Sequence, residues 1–490
     1  MKIFCVLLAA VLSCGPAYAG RKPDVIPSPR RIIYGTGEFY LNKNTVILYR
    51  PTGDGKIGLS VGALKRRIRE RTGIDIFAEA VQEVDLVYNC ILVMTGTEEE
   101  LPAGLSGKYG GKIKDLGSGG YFLNVDNNII ICGSDDAGAF YGVQTLLQLI
   151  GRDETGWSFR CMTVIDEPEF TYRAQHFDPA RQFRDMDVLR KYIRIMSAYK
   201  MNVMHLHFTD DQSWTLGSSN YDLTVPGRFY TKDDLKRLVW YAGNHFITIV
   251  PEIDVPGHSR ALCRHHPEVC CSGGTNILCA GREETYSFLD DIFREFMPYF
   301  PGEYFHIGAD EVARKTWGRC PDCLARMKAE GFTDVTELYF YFVNRVNELV
   351  KQHGKRTIIW WEHLPGTAEK LDSGIILEKW HNGREDTVPA AAEKGFRFIE
   401  APYHPLYLSH TDKPVEDIFK KKYYAVLREY PGSVEGISSC SWGDRDEWGE
   451  DEVLLPRILA VAEKAWANPW KFTHRFRKRY DKHSKLLQER

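Results

Sequence analysis

The stretch Glu303-Tyr304-Phe305-His306-Ile307-Gly308-Ala309-Asp310-Glu311 is a short apolar run that ends abruptly in two neighbouring acids. Residues 304–307 read as a strand, because the run is too short for a helix, Pro301-Gly302 breaks the chain before it and Gly308 closes it. Carboxylates just past the carboxyl end of a strand sit where an α/β barrel keeps its chemistry. Asp310 and Glu311 are therefore candidates for acid–base work, against the plainer alternative of a solvated turn or a helix N-terminus.

On both sides of this run, from residue 172 to about 466, the chain repeats a strand of four to six residues, a loop and a helix. Strand signals fall at 174–177, 203–208, 247–252, 304–307, 357–361, 375–378, 396–399 and 436–439, with helical spacing at 188–199, 235–241, 288–297 and 338–351. Eight such strands predict a (β/α)8 barrel of the TIM type, although the last third is less regular. Before it, from about 24 to 169, apolar strand runs at 91–94 and 128–132 alternate with helical patterns at 63–72 and 138–150. That is a small α+β module without catalytic spacing, read as packing support. The fold class is α/β, with an accessory domain over 20–170, the barrel over 171–470 and a basic helical tail over 471–490. The tail's charges are expected to form a solvated face.

At 490 residues with a net charge of −3, the chain has room for two domains and no basic surplus to neutralise phosphates. A nucleic-acid partner is excluded on that ground, and the partner should be small or uncharged. Met1-Lys2, an apolar run over 3–12 and Ala17-Tyr18-Ala19 before Gly20 have the layout of a secretory signal peptide over 1–19. A weaker alternative is a lipid anchor at Cys14. No other stretch is apolar enough to span a bilayer, so a periplasmic, secreted or surface-associated protein is expected. Ten of the twelve cysteines lie beyond the leader. Cys263, Cys270, Cys271 and Cys279 crowd one loop, and Cys320 and Cys323 form a CxxC. Zinc is one reading, but export and the lack of paired histidines at finger spacing favour disulfide staples. No metal or cofactor is assigned.

Once the strands close, the residues just after each one converge on a single pocket. Asp178-Pro179-Ala180-Arg181 follows the first strand, and Arg181 offers a forked donor. His205-Leu206-His207 ends the second and leads to Asp210. The two histidines share a face but have no evident third ligand, so hydrogen bonding is preferred to metal binding. After the third strand, Asp254 and His258 can pair and steer an acid. Trp361, Trp380, Tyr407 and Trp442 end or follow the fifth to eighth strands. Tryptophans are usually core, yet three on one face of a barrel are better explained as pocket walls.

His-x-Gly-Ala-Asp-Glu resembles the His-x-Gly-Gly-Asp-Glu signature of family-20 glycoside hydrolases, the β-N-acetylhexosaminidases. The flanking chain is similar too: Asp178-x-x-Arg181-x-Phe183, His205-x-His207-x-x-Asp210-Asp211-Gln212-x-Trp214 and Pro251-Glu252-Ile253-Asp254-x-Pro256-Gly257-His258. Val25-Ile26-Pro27-Ser28-Pro29 and residues 142–149 look like the accessory domain of the same family. Ala309, in place of the signature's second glycine, is read as a tolerable added methyl. The resemblance implies an exported, exo-acting enzyme that removes terminal β-linked N-acetylhexosamine (GlcNAc or GalNAc), with no cofactor. The aromatic walls would then face a pyranose ring and enclose an acetamido methyl.

Most retaining glycosidases place two carboxyls about 5 Å apart across the sugar. Neighbouring residues, with α-carbons about 3.8 Å apart, are poorly disposed to flank opposite faces of one bond. The adjacency suits substrate assistance, in which, as the resemblance implies, the 2-acetamido oxygen attacks the anomeric carbon and gives an oxazolinium intermediate. Glu311 is then the general acid, which calls for a raised pKa. Asp310 orients the acetamide, Tyr407 donates to the attacking oxygen, Arg181, Trp361, Trp380, Trp442 and Asp444 contact substrate, and Asp210, Asp254, His258 and His306 support them. Two positions depart from the family pattern. Tyr407-Leu408-Ser409 stands for Tyr-x-Asp and Trp442-Gly443-Asp444 for Trp-x-Glu, at the end that holds O4 and O6. His410 and Arg445 are close by in sequence. A 6-sulfated sugar, a released disaccharide or an inactive sugar-binding barrel are the alternatives, unless His404, Asp446 or Glu447 stands in for the missing acids.

Overall fold

The computed structural model describes residues 23–53, 55–82, 88–96, 100, 106–107, 111, 113, 115–272, 276–409, 414–423, 429–444, 451–467 and 474–488. Residues 1–19, expected to form a signal peptide, and with them Cys14, as well as His410, Arg445, Asp446 and Glu447 lie outside them. The chain divides into two units, one over 29–166 and one over 167–490 that also takes in residues 26–28.

Among the described residues, the first unit has one sheet with the helices Lys56–Thr72 and Asp136–Leu149. Its strands are β1 (Arg31–Tyr40), β2 (Val46–Tyr49), β3 (Phe77–Ala80), β4 (Cys90–Thr95), β5 (Tyr121–Val125), β6 (Ile129–Gly133), β7 (Gly151–Arg152) and β8 (Trp157–Asp166), in the order β1-β8-β5-β6-β4-β2-β3 with β7 beside β8. β4, β5 and β6 are almost wholly buried, which is why they read as continuous apolar runs. The helices Lys56–Thr72 and Asp136–Leu149 pack on the sheet, the second started by the Asp135 side chain accepting from Gly138 N–H.

The second unit is the barrel. β9 (Tyr172–Phe177), β10 (Val203–His207), β11 (Thr248–Val255), β12 (Tyr304–Gly308), β13 (Arg356–Trp360), β14 (Ile376–Lys379), β15 (Arg397–Glu400) and β16 (Val434–Ser441) are all parallel, and β16 closes on β9 from Gly436 opposite Tyr172 to Ser441 opposite Phe177. The early helices carry their own start signals: Asp185 caps Met186–Ala198, Thr231 and Asp234 form a capping box for Lys232–Gly243, and Asp334 caps Val335–Gln352. After β13, β14 and β15 the helices Thr367–Lys370, Val388–Glu393 and Glu416–Lys420 are four to six residues long, so helical periodicity is weak there.

Alternation along the strands sorts the barrel interior into layers. At the amino end Tyr172, Ala174, Val203, Val250, Ile358, Ile376 and Ile399 form an apolar plug. Two residues further along, the inward positions are His176, His205, Glu252, His306, Trp360 and Glu378, all buried. At the carboxyl end Trp360 joins Ala401, Tyr407 and Cys440, with Trp380 and Trp442 packed against them.

The tail differs from expectation. Asp451–Ala467 is a core helix, and from the following helix Arg479, only 6% exposed, donates to both Glu463 carboxylate oxygens at 2.9 Å. Tyr199 Oη lies 3.0 Å from the buried His483 Nδ1. Basic residues at helical spacing include these two because a guanidinium or imidazole can enter a core when a carboxylate or hydroxyl meets it.

The end of β12 is conformationally demanding. Gly308 has φ +67°, and a Cβ there would fall 1.8 Å from Asp254 Oδ1, so only glycine fits. Ala309 and Glu311 also have positive φ, +73° and +46°. The methyl of Ala309 is therefore accommodated sterically, fully buried, on a backbone that glycine would adopt with less strain. Gly308→Ala is expected to lower the urea-unfolding free energy by about 2 kcal/mol or more. Ala309→Gly should lie within about 1 kcal/mol of the parent, on the stable side. Equal losses in both variants would contradict this account of the turn.

Candidate active site

Asp310 and Glu311 leave the carboxyl end of β12 beside His258, which follows β11. His258 Nε2 lies 3.5 Å from Glu311 Oε2 and 3.8 Å from Asp310 Oδ2, while its Nδ1 is 3.4 Å from Asp210 Oδ1. The adjacent acids have opposite environments. The Asp310 side chain is 13% exposed, with a buried Oδ1 that has no hydrogen-bond partner among the described residues, whereas that of Glu311 is 61% exposed. Burial raises the Asp310 carboxyl to about 6 against the opposing charge of His258. The His258 hydrogen bond holds Glu311 below its ordinary value.

This corrects the expectation of a raised Glu311. In the free protein the elevated carboxyl is Asp310, because positive φ at Ala309 and Glu311 turns one side chain inward and leaves its neighbour in solvent. Asp254 is raised too, by burial and then by the like charge of Asp310, and accepts the Ala309 N–H at 3.3 Å. Burial alone would discharge His258, but Asp254 and the contacts with Asp210 and Glu311 outweigh it and keep it protonated.

Arg181 is held from two sides. Its Nη1 donates to Asp178 Oδ2 at 2.8 Å, its Nη2 lies 2.5 Å from Asp210 Oδ2, and its guanidinium sits 4.9 Å from the Trp442 ring centre. Burial works against its charge, and Asp178 and Asp210 more than restore it. Asp178 also accepts the Gly443 N–H at 3.0 Å, tying the loop after β9 to the loop after β16. Asp210 is depressed, because His207 and His258 overcome its burial.

Beneath the pocket, Glu252 is the third group that the two histidines of β10 were expected to lack. Its Oε2 lies 2.7 Å from His207 Nδ1 and 3.0 Å from His205 Nε2, and its Oε1 accepts from Trp360 Nε1 at 2.7 Å. His306 lies between Glu252 and Glu378, its Nδ1 accepting the Gly308 N–H at 2.9 Å. Burial pushes Glu378 up to about 8, while His207 holds Glu252 down in spite of burial.

Of the four aromatics, Trp380, Tyr407 and Trp442 come together, and Trp361 does not. Trp361 faces outward, 5.5 Å from the Phe398 ring and stacked on His363 at 3.8 Å. The indole that completes the group is Trp360, 5.6 Å from Trp442. The side-chain period of two puts 358 and 360 on the inner face, so a one-residue offset exchanges core for pocket. Trp380 Nε1 is buried without a hydrogen-bond partner among the described residues. Burial, then Cys440 and Asp310, keeps Tyr407 a phenol. At the outer end, Asp444 is exposed, Ser409 is fully buried and His404 lies 3.3 Å from Asp417.

Asp178, Glu252, Trp360 and Glu362 were missed in sequence. The Glu362 carboxylate accepts the Glu311 N–H at 3.3 Å, and burial raises its pKa. The signal for Glu252 and Trp360 was their inward parity.

The chain is similar to known proteins along most of its length. Residues 170–469 match the catalytic domain of glycosyl hydrolase family 20, and residues 22–167 match domain 2 of that family. The β-hexosaminidase of Porphyromonas gingivalis is 33% identical over 399 residues, covering 71% of this chain but 50% of that protein. Among solved structures, the Flavobacterium johnsoniae chitobiase superposes with a TM-score of 0.81 at 27% identity, over 95% of this chain and 73% of that one. The β-N-acetylhexosaminidase of Bacteroides fragilis gives 0.80 at 26% identity and 95% coverage of both chains. Two family models end to end along the sequence, with a relative at this identity, settle the assignment: the chain belongs to glycosyl hydrolase family 20.

Proposed function

We propose that this chain is an exo-acting, retaining β-N-acetylhexosaminidase that uses the substrate's own acetamide as nucleophile. The observation that carries the reading is the unequal pair: one buried carboxyl with an unpartnered oxygen, and beside it an exposed carboxyl, at the aromatic mouth of the barrel. A second acid placed to attack from the opposite face is not needed when the sugar supplies the attacking oxygen.

On this reading the acetamide enters between Trp360, Trp380 and Trp442. Its N–H donates to Asp310, giving the buried Oδ1 a partner, and Tyr407 donates to its carbonyl oxygen. Glu311 protonates the glycosidic oxygen as the C1–O bond breaks and the amide oxygen bonds to C1. The positive charge then lies on the oxazolinium, against the Asp310 carboxylate. The Glu311 carboxylate next takes a proton from water, which attacks C1 and reopens the ring with net retention. In the free protein Glu311 is solvated and ionised; a sugar covering it removes water and raises its pKa, which favours the acid form. Arg181, immobilised by Asp178 and Asp210, is positioned to donate to ring hydroxyls.

A 6-sulfated substrate is favoured by one feature: the residue at the family's Tyr-x-Asp acid is the uncharged, buried Ser409. Comparing 6-sulfated with plain aryl N-acetylglucosaminides separates the two, and a strong preference for the plain sugar removes the sulfated reading. Export is part of the proposal and is supported by the disulfide between Cys263 and Cys270.

Glu311→Gln is expected to slow hydrolysis of substrates with poor leaving groups by about a hundred- to ten-thousand-fold, and of activated aryl glycosides much less. Equal losses on both would show that Glu311 is not the acid. Because Asp310 must be ionised and burial raises it to about 6, kcat/KM should fall as pH drops through about 6. Asp310→Asn should abolish that acid limb and cost about a hundred- to a thousand-fold overall. Full activity on a sugar with a 2-hydroxyl in place of the acetamide would contradict substrate assistance.

A further inference from the structure

Four cysteines outside the pocket form a cluster that the glycosidase reading does not use. Cys271 and Cys279 come from the loop after β11, and Cys320 and Cys323 from the segment after β12. All four are buried. Sulfur–sulfur distances are 3.7 Å for Cys271–Cys323, 3.7 Å for Cys279–Cys320 and 3.6 Å for Cys279–Cys323, and all four sulfurs lie within 4.8 Å of one another.

Three possibilities meet this geometry differently. Disulfides would bring pairs of sulfurs to about 2.05 Å. In the same loop Cys263 and Cys270 are so joined, and these four are not. This corrects the expectation of disulfide staples throughout the region. A plain hydrophobic cluster has no reason to gather four thiols around one point. A tetrahedral metal site has one, since metal–sulfur bonds of about 2.3 Å imply sulfur–sulfur edges of about 3.8 Å.

The surroundings are also those of a ligand set. A Cβ at Gly281 would fall 2.2 Å from the Asp322 carbonyl oxygen and 2.6 Å from Cys323 N, so the two cysteine-bearing segments approach this closely only because residue 281 is glycine. Arg282 places a cation beside the cluster, donating from Nε to Asp322 at 2.8 Å and from Nη1 to the Cys270 carbonyl at 3.1 Å.

We propose that Cys271, Cys279, Cys320 and Cys323 bind one zinc ion in a closed, structural site that pins the loop after β11 to the segment after β12. An all-thiolate tetrahedron selects zinc or iron among common metals, and four protein ligands leave no position for water or substrate. The site matters to the pocket because the loop after β11 carries His258 and the segment after β12 begins with Asp310 and Glu311. Trp317 Nε1, donating to the Leu278 carbonyl at 2.9 Å, is a second tie between the two. Binding displaces the thiol protons to solvent and changes no oxidation state.

The full chain, purified without added metal or strong chelator, is expected to contain one zinc per chain by inductively coupled plasma mass spectrometry. Cys320→Ser and Cys323→Ser should each lose that zinc. Should those variants fail to fold, the parent decides by itself: alkylation in denaturant with chelator and without reductant should label all four cysteines and neither Cys263 nor Cys270. Cobalt substitution should give the visible bands of tetrahedral thiolate coordination. Absence of metal, with these cysteines recovered in disulfide-linked peptides, overturns the site. Iron in place of zinc overturns the metal assigned, and zinc retained by both variants overturns the ligands. None of these readouts depends on glycosidase activity.

Discussion

The buried carboxylate of Glu252 is the interaction on which the pocket rests. It sits inside the barrel at no exposure, and isolated there it would be prohibitively costly. It is tolerated because His205 and His207 from β10, His306 from β12 and Trp360 from β13 converge on it. Removing one partner from such a set leaves an uncompensated charge, which is why buried networks hold a single arrangement. From Glu252 the charges alternate upward through His207 to Asp210, and from Asp210 to Arg181 on one side and His258 on the other. His258 then meets both Asp310 and Glu311, so the orientation of the two carboxyls is inherited from the centre of the barrel.

That alternation also explains how two carboxyls side by side in the chain become chemically different. Backbone strain at Ala309 and Glu311 sends Asp310 into the buried interior beside His258 and Glu311 toward solvent. Strain of this kind persists only where surrounding contacts impose it, here Asp254 packed against Gly308 and Tyr339 Oη bonded to the Ala309 carbonyl at 2.9 Å. The same two loops meet again at the four-cysteine cluster, so the segments carrying His258 and the two carboxyls are in contact at both ends.

Much of the fold was legible because the barrel's strands are short apolar runs and the first helices have strong caps. Where helices shrink to four to six residues, after β13 to β15, the periodic signal fades. Arg181, His258, Asp310 and Glu311, each carried by a local motif, come together at the carboxyl end of the barrel as their places after the strands predict. The site was misread where the answer depends on which way a strand faces: Trp361 and Trp360 are indistinguishable by composition, and only the register of β13 against β12 and β14 decides which one looks inward. Glu252 was quoted within a motif and still overlooked, because its partners lie on other strands. The tail's basic residues were expected in solvent, and Arg479 is buried because Glu463, one helix away, meets it.

By itself, then, the amino-acid order determined the eight-stranded repeat, the acids at the end of β12 and the family pattern around them, since each depends on neighbours a few positions apart. Tertiary structure alone decided which of two adjacent carboxyls is buried and raised, which tryptophan faces the pocket and which cysteines meet. Those outcomes depend on burial and on distances between segments far apart in the chain, and no local spacing encodes them.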